Sequence, residues 1–372
     1  MTKKFSIFLT VLFCAFIGCT SVVSLLLPDK DFLPLENRSP QKPPKLTMEN
    51  LSSGKFMEQA EDYVSDHIVG RDFWVAAKAW SERLSGKREN NGVYFGAQDT
   101  LINRVEDPDP AKLEQDMGYL DALVGNVSVP VYFGLIPSAA EIWQDRLPAG
   151  APSADEKTII DRLCFSTGAF TIDLYNALAP HSGEDIYYRT DHHWTSLGAF
   201  YGANAMFQAM GLEPLNLSDY QKTTVTDQFY GTLFSSSGVR WLPPDQIDTY
   251  VPDDGIQVTS WFQGAPVEGG LYVDSYLEVK DKYSYFLGGN QPLCVVEKED
   301  SDGPRVLLIR DSYSDSLTPF LTERFSEIHL FDLRYNLSSI QKYVEENPID
   351  TVIVLYSFPN FASDNNLFLL SK

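Results

Sequence analysis

Four cysteines in 372 residues leave little room for redox or metal chemistry. No two of them are spaced Cys-x-x-Cys, which excludes a structural zinc ribbon. Cys14 and Cys19 fall in an apolar N-terminal run, so only Cys164 and Cys294 remain, and one disulfide or two buried thiols fit that pair equally well. Basic residues are scarce too: 29 Lys and Arg face 51 Asp and Glu, for a net charge of -22. A nucleic-acid binder needs a basic face, and so does a protein that lies on anionic lipid, so this balance argues against both partners. The chain has no internal repeat and no glycine-rich phosphate loop.

What is present is globular. Hydrophobic residues at 44% and charged residues at 22% rule out wholesale disorder, and the length has room for about two folded units at roughly 150 residues each. An aromatic content of 13% suits a large sheet or a carbohydrate-facing groove. Lys3 and Lys4 precede an uncharged run from Phe5 to Leu27, long enough to cross a bilayer core of about 30 Å. The paired lysines favour a cytoplasmic N-terminus, which predicts a single-pass membrane anchor at residues 1–27 with everything after it outside the cytoplasm. A cleaved signal peptide, leaving a secreted or lipid-anchored protein, is the alternative, because Phe16-Ile17-Gly18-Cys19 loosely resembles a lipoprotein cleavage site. Setting the two lysines aside takes the charge of the remainder from -22 to -24.

Residues 28–48 carry Pro28, Pro34, Pro40, Pro43 and Pro44 and read as a stiff tether. The folded domain is expected over 49–372. Residues 55–85 read as helix, from Phe56, Ala60, Tyr63, Val64 and Ile68 near 3.6 spacing. A short strand pair follows around Val93-Tyr94-Phe95-Gly96 and Leu101-Ile102, then a helix over Ala111–Val124 and a strand over Val127–Ile136. Asp155–Phe165, Thr171–Leu178 and Trp194–Met210 read as helices. Residues 220–300 alternate in short runs without a convincing helix, as a β-rich insertion would. From Arg305 the pattern is clearest: strands at Val306–Ile309, Ile328–Leu333 and Thr351–Tyr356, with helices at Asp315–Phe325 and Leu337–Glu346 between them. Near-continuous apolar strands alternating with helices predict an α/β fold whose parallel sheet is covered by helices on both faces.

Two segments carry chemistry. Asp191-His192-His193-Trp194-Thr195 precedes a helix, and His181, His192 and His193 fall within 13 residues of a chain with only five histidines. Arg310-Asp311-Ser312-Tyr313-Ser314 follows a buried strand, at the end where open α/β sheets place ligands. A serine on that strand-to-helix turn lies near the positive helix N-terminus, and its own N–H can face a developing oxyanion. Ser312 is then a nucleophile or a helix N-cap. The Asp-His-His segment is a capping turn, a zinc site drawn from Asp191, His181 and one of His192 or His193, or the acid and base of a triad. Asp191 and His193 are two apart, so one turn can aim both into a single cleft.

Asp191-His192-His193-Trp194 with Thr195 and Gly198-Ala199, together with the Arg310–Ser314 turn, resembles the bacterial DHHW-motif family. That family is similar to the SGNH-hydrolase-like proteins of alginate O-acetylation. The likeness also takes in the N-terminal anchor and the segments Asp66–Arg71 and Gly92–Leu101, and it is weakest over 220–300. The resemblance implies that Asp191 is the acid, His193 the base and Ser312 the nucleophile, with His192 in the variable middle position. It offers Arg334 and Tyr356 for the oxyanion or the substrate, and it implies no metal and no other cofactor. Two features depart from the usual SGNH pattern: Asp-x-His comes before the serine, and the serine turn reads Arg-Asp-Ser in place of Gly-Asp-Ser.

What the resemblance implies is a membrane-tethered O-acetyltransferase of a cell-surface or secreted polysaccharide, partnered by a membrane-bound O-acyltransferase. With water as acceptor the same machinery is an acetylesterase, and with no chemistry it is a glycan-binding or assembly protein. A neutral glycan suits the acidic chain better than a polyanion.

Overall fold

The computed structural model describes residues 2–262 and 264–372, and the chain divides into two compact units. The first comprises residues 1–87 with 235–240. It opens with helix α1 (Lys3–Leu26), which is long and apolar enough to cross a membrane, a property that a signal peptide shares. A short α2 (Met48–Ser52) leads to α3 (Lys55–His67) and α4 (Arg71–Leu84). The single helix expected over 55–85 is therefore two. The break falls at Gly70, whose φ of +67° is left-handed and open to glycine without strain. The proline-rich segment is strapped to this hairpin. The Arg38 guanidinium donates to both oxygens of the buried Asp66 carboxylate at 2.8 and 2.6 Å, and Arg71 closes on Asp66 and Glu36. Two-pronged charge-assisted contacts of this kind fix direction as well as distance.

The second unit, residues 88–234 with 241–372, is α/β. Strands β1 (Glu89–Asn90), β2 (Val93–Phe95) and β3 (Leu101–Asn103) form a small antiparallel sheet. After α5 (Pro110–Asn126), which Asp109 caps, strand β4 (Val131–Ile136) enters the main sheet. Then come α6 (Ala139–Ile142), α7 (Glu156–Ser166), the two-residue β5 (Phe170–Thr171) and α8 (Leu174–Leu178). Helix α9 (Ser196–Ala209) follows the Asp-His-His-Trp segment and is capped by Thr195.

The stretch from 220 to 300 holds β6 (Thr223–Phe229), a short α10 (Thr232–Ser237), β7 (Asp245–Thr249), β8 (Ile256–Phe262), β9 (Ala265–Gly269) and β10 (Leu293–Lys298). Its β character is as expected; α10 is an addition. β6 and β7 pair with each other, while β8, β9 and β10 join the main sheet. The chain ends with β11 (Arg305–Arg310), α11 (Ser314–Leu321), β12 (Glu327–Phe331), α12 (Ile340–Glu346), β13 (Thr351–Ser357) and α13 (Phe358–Ser363).

The main sheet runs β5-β4-β13-β11-β12-β10-β8-β9. The pairs from β5 to β12 are parallel, and β12–β10, β10–β8 and β8–β9 are antiparallel. β13 is buried along its whole length because both faces of a central parallel strand are covered, which is why it reads as an unbroken apolar run. In this order β4, β13 and β11 are neighbours, so the loops after Ile136, Ser357 and Arg310 emerge side by side at one edge.

Candidate active site

The turn that carries Ser312 is held from both flanks. Val306–Ile309 are fully buried, and β11 ends at Arg310, two residues short of Ser312. The Asp311 carboxylate accepts from the Tyr313 amide at 3.0 Å through one oxygen. Through the other it accepts from the Ser357 amide, the Ser357 hydroxyl and the Asn360 side chain at 2.9, 2.7 and 2.7 Å. These bonds tie the turn to the end of β13. On its other side, wholly buried Arg310 pairs with Asp315 in the first turn of α11 at 2.6 Å. Ser312 sits between the two anchors with 8% of its surface exposed, and its N–H has no acceptor among the described residues.

The second segment meets this turn. Asp191 and His193 are 2% and 5% exposed. One Asp191 oxygen accepts from the His193 amide at 3.0 Å and from His193 Nδ1 at 2.6 Å. The other accepts from the amide and hydroxyl of Thr232 at 2.7 and 3.1 Å. His193 Nε2 lies 2.8 Å from Ser312 Oγ. An ionised carboxylate only accepts, so Nδ1 carries the proton and Nε2 is left to accept the serine hydroxyl. Burial draws the Asp191 carboxyl upward. The charges of His192 and His193 and the bonds from His193 and the Thr232 amide outweigh it and hold the group far below the usual range. The buried acid is therefore fully ionised at neutral pH.

Further contacts lock the motifs together across 119 residues of chain. Trp194 Nε1 donates to the Tyr313 carbonyl at 2.9 Å, and the Tyr313 hydroxyl donates to the His192 carbonyl. Helix α9 lies close on the Trp194 ring: a Cβ at Gly202 would meet that ring at 2.6 Å, and one at Gly198 would meet the Ile186 carbonyl at 2.2 Å. Small residues at these positions let the helix seat the tryptophan.

The zinc alternative is not assembled in the form weighed from sequence. His181 bonds Glu184 at 2.6 Å and stacks on Tyr201, apart from the cluster. Ligand atoms of Asp191, His192 and His193 do lie within 4.8 Å of one another. Both Asp191 oxygens and both His193 nitrogens are already engaged, and His192 Nδ1 is bonded to the Thr232 hydroxyl at 2.7 Å. A metal there would have to break the relay.

Arg334 and Tyr356 make no hydrogen bond to the three central residues. Arg334 follows β12, bonds Asp332 at 2.9 and 2.6 Å and Asn290 at 3.0 Å, and is a third exposed. Tyr356 is fully buried with its hydroxyl unpartnered among the described residues. It is the next residue, Ser357, that reaches the turn. A small cleft is lined by Asn103, Ser138, His192, Leu233, Asn360 and Tyr313, the residue after Ser312. Thr232, Ser357 and Asn360 carry no motif of their own. Ser357 ends the most apolar strand and Asn360 follows it, and the rule that ligands gather beyond strand ends points there. Thr232 leaves a fainter trace in Gly231, where a Cβ would lie 2.2 Å from the Asp191 side chain. Cys164 and Cys294 are both free thiols.

A family model described as DHHW protein matches residues 128–331. Among solved structures, a DHHW family protein from Eubacterium siraeum DSM 15702 is similar, with a TM-score of 0.68 and 24% identity over 76% of this chain and 95% of that one. Bacillus cereus PatB1 with a sulfonyl adduct superposes with a TM-score of 0.61 and 22% identity, covering 74% of this chain and 98% of PatB1. A second PatB1 structure gives 0.59 and 21%, covering 73% and 97%. No curated protein matches. At these identities the likeness is one of fold, the SGNH-like α/β architecture with its parallel-rich sheet.

Proposed function

The chain belongs to the DHHW protein family, and from that premise we propose that it is a serine acyl-transfer enzyme, an O-acetyltransferase of a cell-surface or secreted polysaccharide. The observation that carries this reading is the buried relay Asp191–His193–Ser312, joined at 2.6 and 2.8 Å. As Ser312 Oγ attacks the carbonyl carbon of an acetyl donor, its proton passes to His193 Nε2, and Asp191 holds the resulting imidazolium. The Ser312 N–H, at the start of the α11 turn, supports the oxyanion. The donor's leaving group departs with the proton from His193, and the acetyl remains as a Ser312 ester. A sugar hydroxyl then enters and gives its proton to His193 as its oxygen bonds the acetyl carbon; the ester bond to Ser312 breaks, and His193 returns the proton to the departing Oγ. With water in its place the product is acetate, and the enzyme is a carbohydrate acetylesterase. Arg334 is the candidate for holding the glycan near the mouth of the site, and Tyr356 for lining the wall behind it. The helix α1 would tether the domain outside the cytoplasm, within reach of a membrane-bound O-acyltransferase that supplies the acyl group. The rival reading, a non-catalytic glycan-binding protein, needs no such relay.

A sulfonyl adduct on PatB1 makes an arylsulfonyl fluoride the probe of choice. Intact-mass spectrometry of the treated full chain should show a single adduct, mapping to the peptide that contains Arg310–Leu317. An activated acetyl ester should label the same peptide. Ser312→Ala should take up neither. A folded chain that stays unlabelled would leave the glycan-binding reading ahead, and a label that survives Ser312→Ala would move the nucleophile to Ser314.

A further inference from the structure

The region that the sequence leaves most obscure delivers one side chain directly onto the general base. Tyr283 lies in a short 3-10 turn (Lys282–Tyr285) between β9 and β10. Its ring stacks on that of His193 with centroids 3.8 Å apart and planes 8° from parallel. Its hydroxyl donates to the Ser312 carbonyl at 3.0 Å and pairs with Ser316 Oγ at 3.1 Å. One residue therefore touches the ring of the base, the backbone of the nucleophile and the first turn of α11. Tyr283 is 5% exposed and is seated in its own small core with Tyr188, Phe229, Ile247, Tyr285 and Phe286.

We propose that Tyr283 is a positioning residue of the acyl-transfer reaction, which fixes the plane of the His193 ring and stabilises the charge that ring gains during the reaction while pinning the nucleophile turn. This role rests on Ser312 and His193 being nucleophile and base, as proposed above. A hydrogen bond at each end of an imidazole leaves it free to rock about the axis joining them, and a parallel ring at van der Waals distance removes that freedom. His193 is faced by the carboxylates of Asp191 and Asp315 and by the His192 ring, with centroids 3.8 Å apart; when it takes the serine proton, the charge also develops over the π face of Tyr283, where the ring quadrupole stabilises a cation. Burial raises the phenol far above its ordinary range, so the hydroxyl stays a donor to the Ser312 carbonyl throughout. The two functions separate chemically: the stack belongs to the ring and the pin to the hydroxyl.

The test compares Tyr283→Leu with Tyr283→Phe in the full chain, using a small acetyl ester. Losing the stack should lower kcat by about tenfold or more, and should move the acid limb of the kcat/KM profile to lower pH by roughly half a unit to one unit. Tyr283→Phe, which keeps the ring, should leave the acid limb in place and lose about threefold to tenfold from the missing hydrogen bond. A readout independent of turnover is the His193 Hε1 resonance. Ring current from the stacked tyrosine displaces it upfield, and it should return downfield in Tyr283→Leu only. Unchanged acid limb and rate in a folded Tyr283→Leu would overturn the proposal. So would an acid limb that moves in Tyr283→Phe, since the ring is still there. Should Tyr283→Leu fail to fold, the Tyr283→Phe profile and its Hε1 position decide alone. A wild-type chain that accepts no acyl group defeats the enzymatic reading itself, and that outcome is distinct because the ring-current displacement would persist.

Discussion

His193 and His192 are adjacent, of the same chemistry, and engaged in different ways. His193 bridges Asp191 and Ser312, while the His192 side chain stays 30% exposed and bonds the Thr232 hydroxyl. The position of the motif in its family pointed to His193, and the geometry that supports it is the pair of nitrogen contacts. Removal of a general base typically costs several orders of magnitude. His193→Ala should therefore abolish acetyl-ester turnover to that degree, while His192→Ala should cost on the order of tenfold by loosening Thr232. Initial rates on a chromogenic acetyl ester decide it, and a reversed ranking would sink the assignment. Legibility at this scale followed chemistry. The proposed relay of Asp191, His193 and Ser312 was readable because a triad needs those residue types at turns of one layer. Thr232, Asn360 and Tyr283 were not, because an amide, a hydroxyl and an aromatic ring become functional only through where folding puts them. Tyr356 is buried in β13, and it is the strand's end at Ser357 that reaches Asp311.

Among the elements, parallel strands were the most legible. The middles of β11 and β13, Val306–Ile309 and Val352–Leu355, are buried on both faces and so are continuously apolar, while β12 keeps a buried His329 within its run. Short and antiparallel pieces were not. Thr171 begins the expected helix but lies in β5, and the helix itself starts at Leu174. The attachment of β8, β9 and β10 to the main sheet is a matter of long-range register that no local pattern states. The loop after β4 carries a testable consequence. Glu156, fully buried at the start of α7, accepts from the hydroxyl and amide of Ser138 at 2.5 and 2.8 Å, and Ser138 lines the cleft. Burial first, and the charge of Glu141 after it, push this carboxyl up to about 7. An unfolded glutamate titrates near 4.3, so between those values the folded chain holds a proton that the unfolded one has lost. The stabilising contribution is thus fully present below about pH 4 and is lost as pH rises through 7. Glu156→Gln keeps the hydrogen bonds without the ionisation, so its stability relative to wild type should climb by about 3 kcal/mol between pH 4.5 and 7.5. Urea unfolding at a series of pH values measures this, and curves that stay parallel would refute it.

At the scale of the whole molecule the decisive features are charge and the first helix. Once Lys3 and Lys4 are set aside, the -22 of the full sequence becomes -24 for everything after α1, an acidity that repels polyanions. Composition made this legible, whereas the two-unit division was not, because it depends on which contacts close. The reading of an enzyme that modifies exported glycan needs residues 28–372 on the far side of a membrane. The physics behind that placement is the asymmetry of α1: two lysines precede its apolar run and no basic residue occupies its last turn. Positive charge is retained on the cytoplasmic side during insertion. If α1 is a signal anchor, the full-length protein should stay in the membrane fraction through a carbonate wash, and protease added to intact cells or spheroplasts should degrade the domain. If α1 is instead cleaved, the mature chain should be shorter by the mass of the removed segment while the domain remains protease-accessible. Both outcomes keep the substrate within reach. Replacing Lys3 and Lys4 by glutamate should lower the protease-accessible fraction, because the flanking charge that orients the helix is reversed. Full protection of the wild-type domain until the cells are lysed would remove the exported glycan as its substrate, and the serine relay would then have to serve an acyl group inside the cell.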